Sequence, residues 1–235
     1  NRVYGENEYI DGIIFAENQN YWGGKTDSEI LKINFKFGYV DPMITYRSLG
    51  LQFAYTGIDM GSSFGFRNHD TKQTSIYSNL VYNSIIGDTR SKIKTGISLT
   101  YDEYDEFIFN NNPSLNNFEI SRIEKSIGAY FEYNYDDLDK MNLSAGLRFD
   151  NHNKIGNLIS PRFHMKYQAF PKSTIKLSFG KATRVANIFS ENQKLFYSSR
   201  EIIFTENSTP TDFSTMKADQ AWNYGVSIIN SFKLF

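Results

Sequence analysis

The residues of this sequence that could do chemistry are few and widely spaced. Its three histidines, His69, His152 and His164, include no pair at the i, i+4 spacing of a helical zinc site. The chain has no cysteine, which excludes disulfides, thiolate metal sites and cysteine nucleophiles. P-loop, GxGxxG and HExxH motifs are also absent. We therefore expect no dedicated zinc site.

One run of carboxylates could bind a hard cation, because carboxylate oxygens are the ligands that calcium prefers. The run comprises Asp102, Glu103, Asp105 and Glu106, and it lacks the spacing of an EF-hand. It falls where a strand should lead into a long loop. The sequence predicts either a solvated acidic loop or a loop ordered by calcium, the one cofactor left open.

Basic residues recur at the polar positions of alternating segments. In a closed barrel they would line the interior and meet an anionic ligand or acidic groups of another domain. The alternative is that these residues have no specific partner and are polar because water fills the interior of the barrel. The residues of this kind are Lys32, Lys36, Lys92, Lys94, Arg148, Arg162, Lys166, Lys176, Lys181 and Arg184, with His164 on the same polar side.

Aromatic residues are frequent in the segments predicted to be loops. Aromatics above the mouth of a barrel can act as ligand platforms, although loop aromatics also pack on their own neighbours. The candidate ligand-binding residues in these loops are Trp22, Phe64, Phe66, Phe107, Phe109, Arg184, Phe189 and Tyr197.

The elements that position these residues follow from a period of two. In the segment 31–39 apolar residues alternate with lysine, asparagine and glycine, and the segments 93–101 and 141–149 repeat the pattern. About nine such segments occur, and helical periodicity is confined to residues 184–195. The connections alternate between short and long. The long ones are 58–74, 102–122, 151–158 and 184–217. This pattern is typical of an up-and-down sheet with all long loops on one side.

Composition narrows the class further. Of the 235 residues, 40% are hydrophobic and 22% charged, which excludes a disordered chain. The net charge of −1 gives no support to nucleic acid as a partner. The mean hydropathy of −0.47 excludes a transmembrane helix. A membrane β-barrel stays open, because lipid-facing and lumen-facing residues average to a polar value.

The length of the segments favours a membrane barrel over a soluble sandwich. The alternating runs reach about ten residues, the length that a tilted strand needs to cross a bilayer. Aromatic residues such as Tyr39, Tyr55 and Tyr101 stand at strand ends, where interfacial girdles belong. We predict an all-β fold, an antiparallel up-and-down transmembrane β-barrel.

Several segments resemble the barrel of TonB-dependent outer-membrane receptors, especially those of Bacteroidetes-type bacteria. These are YRSLGLQFAYTGIDMGSSFGF, SIYSNLVYNSIIGDTRSKIKTGISLTYDEYDE, ISPRFHMKY and TIKLSFGKATRVANIFSEN. The segment MKADQAWNYG (Met216–Gly225) is similar to the strand opening LKPEKSWNYE of that family. It departs at Ala218 and Asp219, where Pro and Glu are usual.

The resemblance implies a barrel of about 22 strands with an N-terminal plug domain and a TonB box. About ten strands are covered, so residues 1–235 are expected to be a single β-barrel segment, with plug and TonB box outside this chain. A complete small barrel is the structural alternative.

The function implied by the resemblance is active import across the bacterial cell outer membrane. Import makes and breaks no bond of the substrate, so the resemblance implies no catalytic residues and no enzyme. The ligand would be a scarce, bulky nutrient such as a ferric siderophore, cobalamin, haem or a glycan. The implied partners are the TonB complex, through parts outside this chain, outer-membrane lipid, and a surface lipoprotein. Plug or ligand contacts would fall on the lumen-facing residues Arg148, Arg162, His164, Lys166 and Lys176.

Two other classes of function remain open at this stage. The first is a complete small barrel that acts as a passive pore, or as a lipid-active enzyme with His164 beside a serine. The second is a soluble β-sandwich that binds glycans.

Overall fold

The computed structural model describes residues 3–4, 24–65, 67–185, 188–192, 195–196, 200–201 and 218–231. These residues form one antiparallel sheet and one short helix, α1 (Ile188–Glu191). The strands are β1 (Val3–Tyr4), β2 (Gly24–Val40), β3 (Ser48–Phe64), β4 (Arg67–Ile86), β5 (Asp88–Asn110), β6 (Phe118–Asp136), β7 (Met141–His152), β8 (Gly156–Phe170), β9 (Ser173–Arg184) and β10 (Asp219–Asn230).

Each strand pairs with the strand before it and the strand after it along the chain. This order is the up-and-down sheet that the sequence predicts. The helical turn expected within residues 184–195 is present as α1. No helix among the described residues is long and apolar enough to cross a membrane.

The sheet has two chemically different faces because alternate residues of a strand point to opposite sides. One face, here called the apolar face, carries the apolar members of every alternating run. Many of these large side chains are exposed, with Phe37 and Tyr224 each 67% exposed. A continuous apolar surface of this extent is not found on soluble monomers. The apolar face therefore requires an apolar solvent.

The apolar face approaches the height of the outward-facing apolar band of outer-membrane barrels, about 25 Å. On β5 it runs from Ile93 to Tyr101, with Ile97 and Leu99 between them. That length is about 27 Å along the strand, and roughly 21 Å after the ~40° tilt of barrel strands. Tyr101 marks one edge of the band. Interfacial aromatic girdles occupy such edges in outer-membrane barrels.

One edge of the sheet, the turn rim, consists of tight turns. Residues 41–47, 87, 137–140 and 171–172 link successive strands there. In the third of these turns the Asp137 Oδ1 atom accepts hydrogen bonds from the backbone N–H groups of Asp139, Lys140 and Met141. Leu138 has a φ of 68° in the same turn. Side-chain capping of this kind replaces the backbone partners that the chain loses where it reverses.

The opposite edge of the sheet is here called the far rim. The sequence analysis predicted four long loops there, and three of these predictions are wrong. Strand β3 continues to Phe64 and β4 begins at Arg67, while β5 continues to Asn110 and β6 begins at Phe118. Residues 153–155 alone join β7 to β8. Only the connection between β9 and β10 is long. Strands β2 to β6 therefore extend past the ends of β7 to β9.

This extension carries the one buried apolar cluster among the described residues. Its members come from three strands and from the β9–β10 connection, so the connection folds back onto the sheet. The cluster contains Phe64, Ile108, Ile120, Phe189 and Phe196, with Phe118 packed against it.

Candidate ligand site on the polar face

The polar face of the sheet brings together all five residues predicted to face a lumen. Strand register places Arg148, Arg162 and His164 on this face, together with Lys166 and Lys176. Their roles as ligand or plug contacts stay predictions.

Lys181 does not belong to this set, although the sequence analysis counted it among the lumen-facing basic residues; by alternation it shares the side of Leu177 and Phe179. It pairs in register with Trp222, which lies on the apolar face. Its Nζ atom is 5.5 Å from the centroid of the Trp222 ring. A long lysine side chain can lie along an aromatic ring in this way while its ammonium group reaches the interface.

Arg148 is the centre of the polar contacts in the middle of the face. Its Nε and Nη2 atoms donate to the two carboxylate oxygens of Asp150 at 2.7 and 2.6 Å. Nη2 also donates to Ser98 Oγ at 2.7 Å. A Cβ on Gly128 would lie 2.6 Å from Arg148 Nη2. Glycine at position 128 therefore leaves the space that this pair fills.

A pocket of about 420 Å³ opens beside this pair. Arg162 Nη2 donates to Glu132 Oε2 at 2.7 Å on one side of it, and Tyr130 Oη donates to Asn79 Oδ1 at 3.1 Å on another. The lining includes Gln52, Asn79, Tyr130, Glu132, Arg148 and Arg162. These groups offer donors and acceptors of both charge signs to a polar ligand.

A buried network of charged groups lies on the same face beyond the apolar band. His69 and Glu106 are 0% and 1% exposed, and His69 Nε2 is 3.2 Å from Glu106 Oε2. Arg122 Nη2 is 3.6 Å from Glu106 Oε1. Phe196 covers the imidazole with ring centroids 5.1 Å apart. Because the β9–β10 connection excludes water from these groups, each of them depends on its neighbours for electrostatic stabilisation.

The network continues toward the end of β7. Arg122 Nε is 3.2 Å from Glu124 Oε1, and the Arg122 guanidinium lies over the Tyr104 ring at 4.2 Å. Glu124 Oε2 is 3.8 Å from His152 Nε2. Burial raises the pKa of the Tyr104 phenol to about 12. Burial also raises the pKa of the Glu124 carboxyl, against the opposing effects of Arg122 and His152.

The raised pKa of Glu124 predicts a pH dependence of the far rim. A carboxyl whose folded pKa exceeds its unfolded value stabilises the fold below the unfolded pKa, and this contribution is lost as pH rises through the folded pKa. We therefore expect amide exchange near Glu124, corrected for intrinsic exchange rates, to slow when the pH falls from 7 to below 4.5. In Glu124→Gln, which cannot titrate, this difference should shrink. An equal difference in the variant would contradict the assignment.

Arg67 fastens the β9–β10 connection to the sheet. Its side chain is buried, and Nε donates to Asn110 Oδ1 at 2.7 Å. Nη1 donates to the backbone carbonyl of Leu195 at 3.2 Å, and Nη2 donates to that of Arg200. A planar guanidinium can reach three acceptors in fixed directions, which a lysine ammonium cannot reproduce.

Arg67→Lys should therefore loosen the connection while keeping the charge. We expect amide exchange at Leu195 and Phe196 to become about 30-fold faster, equivalent to ~2 kcal/mol for the lost hydrogen bonds. Hydrogen exchange read by mass spectrometry checks this. The matched control is Arg90→Lys, in an exposed pair with Asp88 at the turn rim, which should leave the same peptides unchanged. Equal exchange in both variants would show that Arg67 does not hold the connection.

The structure places the candidate ligand-binding residues of the predicted loops in different environments. Phe64 and Phe189 are buried in the apolar cluster and do not form an exposed ligand platform. Phe107 and Phe109 stack with ring centroids 6.4 Å apart and are 40% and 39% exposed, on the face opposite the charged network. Arg184 is exposed and pairs with two carboxylates, Glu191 and Asp219. The candidates Trp22, Phe66 and Tyr197 lie outside the described residues.

The four carboxylates considered for calcium do not form one cluster. They lie within β5 and not in a loop, so alternation sends Asp102 and Glu106 to the polar face and Glu103 and Asp105 to the other. In the part of the chain that the structure describes, no group of three or more histidine or acidic side chains is arranged to hold a metal ion.

The segment 61–65 has the spacing of a GxSxG motif, with Ser63 at its centre. In hydrolases this motif turns from a strand into a helix, whereas here it ends β3 and leads to β4. Ser63 pairs with Asn68, on the face opposite His69. His164 pairs with Ser144 and Ser178, and its ring has no ion pair with a described carboxylate. Neither place has the orienting acid of a Ser–His hydrolase.

The sequence analysis missed the roles of Arg67, Glu106 and Arg122 because it treated their segments as loops. A usable signal existed: Arg67, His69 and Thr71 stand two residues apart, as do Tyr104, Glu106 and Ile108. The period of two continues there with polar residues on both faces, so it loses the contrast by which strands are recognised.

Comparison with known proteins decides the family. A family model described as "TonB dependent receptor-like, beta-barrel" matches residues 2–232. The chain belongs to this family. Members of the family are outer-membrane receptors and transporters, not enzymes. The fold is therefore a segment of a transmembrane β-barrel, whose apolar face meets lipid and whose polar face lines the lumen.

Solved structures agree with the fold. The alcaligin outer-membrane receptor FauA from Bordetella pertussis is 13% identical, with a TM-score of 0.56 over 70% of this chain and 30% of that one. The siderophore receptor PirA from Pseudomonas aeruginosa is 13% identical, with a TM-score of 0.55 over 90% of this chain and 38% of that one. The chain thus spans about a third of these receptors. A search of curated proteins gave no match.

Proposed function

We propose that this chain forms part of the wall of an importer in the bacterial cell outer membrane. The importer takes up a scarce, bulky nutrient and is energised through TonB. One observation carries the proposal: a single sheet has an exposed apolar face that approaches the height of the lipid-facing band of outer-membrane barrels and a polar face with charged pockets. Such a wall separates lipid from an aqueous passage. No bond of the nutrient is broken in this function.

The nutrient is a ferric siderophore, cobalamin, haem or a glycan. PirA is described as a siderophore receptor and FauA as a receptor for alcaligin, and the description of PirA favours the first class. On this chain the ligand contacts would be Arg148 and Arg162 in the pocket of the polar face, with Arg184 at the far rim. These arginines are held by carboxylates, so their directions are fixed before a ligand arrives.

The protein partners would engage other surfaces. TonB would act through parts of the protein outside this chain. A surface lipoprotein would contact the far rim, where Phe107 and Phe109 present a stacked and exposed aromatic pair. Exposed aromatics are enriched at the centres of protein interfaces.

Uptake by the native bacterium tests the proposal. Strains that lack the gene for the full protein, or that lack TonB, should both lose growth when the transported nutrient is limiting. Growth should return when the full gene is supplied to the first strain and not to the second. Uptake that continues without TonB would contradict the proposal and would indicate a passive pore.

A further inference from the structure

A second pocket of the polar face lies close to the turn rim and differs from the first. It has a volume of about 400 Å³ and spans strands β7 to β10. Lys166 and Lys176 stand directly opposite each other in register on its floor, and His164 lies in the neighbouring row. The remaining polar lining consists of Asn142, Ser178 and Ser227. The described lining of this pocket, here called the lysine groove, contains no carboxylate.

The arginines and lysines of the polar face behave differently. Arg122, Arg148 and Arg162 each lie within ion-pair distance of a carboxylate. Among the described residues, neither Lys166 nor Lys176 has such a partner. The charge of these arginines is therefore compensated within the sheet. The ammonium groups of the two lysines are available to a group in the lumen.

Among the described residues, no carboxylate of the sheet reaches the lysine groove. Asp136 is the carboxylate in the same row of the sheet, paired through Asn142 with Lys166. It stands two strands away from Lys166, roughly 10 Å at the spacing of paired strands. Its oxygens accept hydrogen bonds from Asn142 Nδ2 and from the backbone N–H of Leu138. The Asp136 carboxylate therefore stabilises the β6–β7 turn and does not reach the lysines.

We propose that the lysine groove binds a carboxylate or phosphate group. Like charges directly opposite each other destabilise a strand pair, and an anion between Lys166 and Lys176 would reverse that cost. The hydroxyls of Ser178 and Ser227 can donate to the same oxygens. The anionic group belongs either to the transported solute or to an acidic side chain of the protein segment inside the barrel. The first source rests on the proposed function.

Chemical footprinting of the purified full-length protein tests the groove. Acetylation of each lysine is followed by mass spectrometry, without an added anion, with millimolar citrate, and with citrate in molar sodium chloride. One ion pair of ~1 kcal/mol slows the reaction at Lys166 and Lys176 about fivefold. Lys140 and Lys172 in the exposed turns of the same rim are the matched controls. High salt should abolish the protection, since it screens charge.

The two sources of the anion give different results. Protection that requires citrate indicates a solute, whereas protection already present without citrate and removed by salt indicates an acidic group of the protein. Lys166 and Lys176 reacting as fast as the control lysines in every condition would overturn the proposal. Protection that salt does not change would also overturn the proposal, because it would show that the lysines are shielded sterically and not by an ion pair. The assay needs no transport, so its failure is distinct from a failure of TonB-dependent uptake.

A variant separates a shared anion from two independent contacts. In Lys166→Gln, citrate should no longer protect Lys176, because one ammonium holds the anion far more weakly than two. Unchanged citrate protection of Lys176 in this variant would contradict a site shared by the two lysines.

Discussion

Phe35→Arg should destabilise the folded barrel by about 2–4 kcal/mol, the cost of a cation near the midplane of the bilayer on the lipid side of a barrel. Phe35 is 51% exposed on the apolar face and pairs in register with Phe53, in the middle of the apolar band. We expect a lower urea midpoint for the full-length protein in liposomes. The fraction that migrates as folded barrel on unheated gels should also fall.

The neighbouring residue supplies the control for this substitution. Asn34 belongs to the same strand and lies on the polar face, between Lys32 and Lys36. Asn34→Arg adds the same side chain to a wall that already carries cations, and its cost should stay within about 0.5 kcal/mol. Equal losses in the two variants would mean that the apolar face does not contact lipid.

The part of the fold that the sequence predicts well is the part that crosses the membrane. There the two faces meet different solvents, so the alternation is strong, as in Ile93, Ile97 and Leu99 against Lys92, Lys94 and Ser98. The same contrast fixes register, since a slip by one residue would send every apolar side chain to the wrong face. The lumen-facing positions of Arg148 and Lys166 follow directly from it.

The far rim could not be predicted in the same way, because each face of its strands carries both polar and apolar residues. Glu103 and Asp105 face outward in β5, while Tyr104 and Glu106 face inward. The hydrophobic pattern therefore has no contrast. The buried partner of Glu106 is His69, which is 37 residues away along the chain. Only the pairing of β4 with β5 brings the two side chains together.

The charged network at the far rim should respond strongly to the loss of its central carboxylate. Glu106→Gln removes the carboxylate that both the buried Arg122 guanidinium and the His69 ring face, and it leaves Glu124 as the acidic partner of Arg122. Loss of contacts to a buried charged carboxylate costs about 2–3 kcal/mol, which makes local opening roughly 30- to 150-fold more frequent. We expect amide exchange across residues 104–110 and 118–124 to accelerate by that factor in the full-length protein.

The adjacent Asp105 distinguishes the network from the general acidity of the strand. Asp105 is exposed on the opposite face. Asp105→Asn therefore removes one negative charge from a solvent-exposed position, and amide exchange should change by less than about threefold. The membrane-spanning residues 93–101 should keep their protection in both variants, because lipid and not the network holds them. Equal acceleration in Asp105→Asn and Glu106→Gln would show that Glu106 does not organise the far rim.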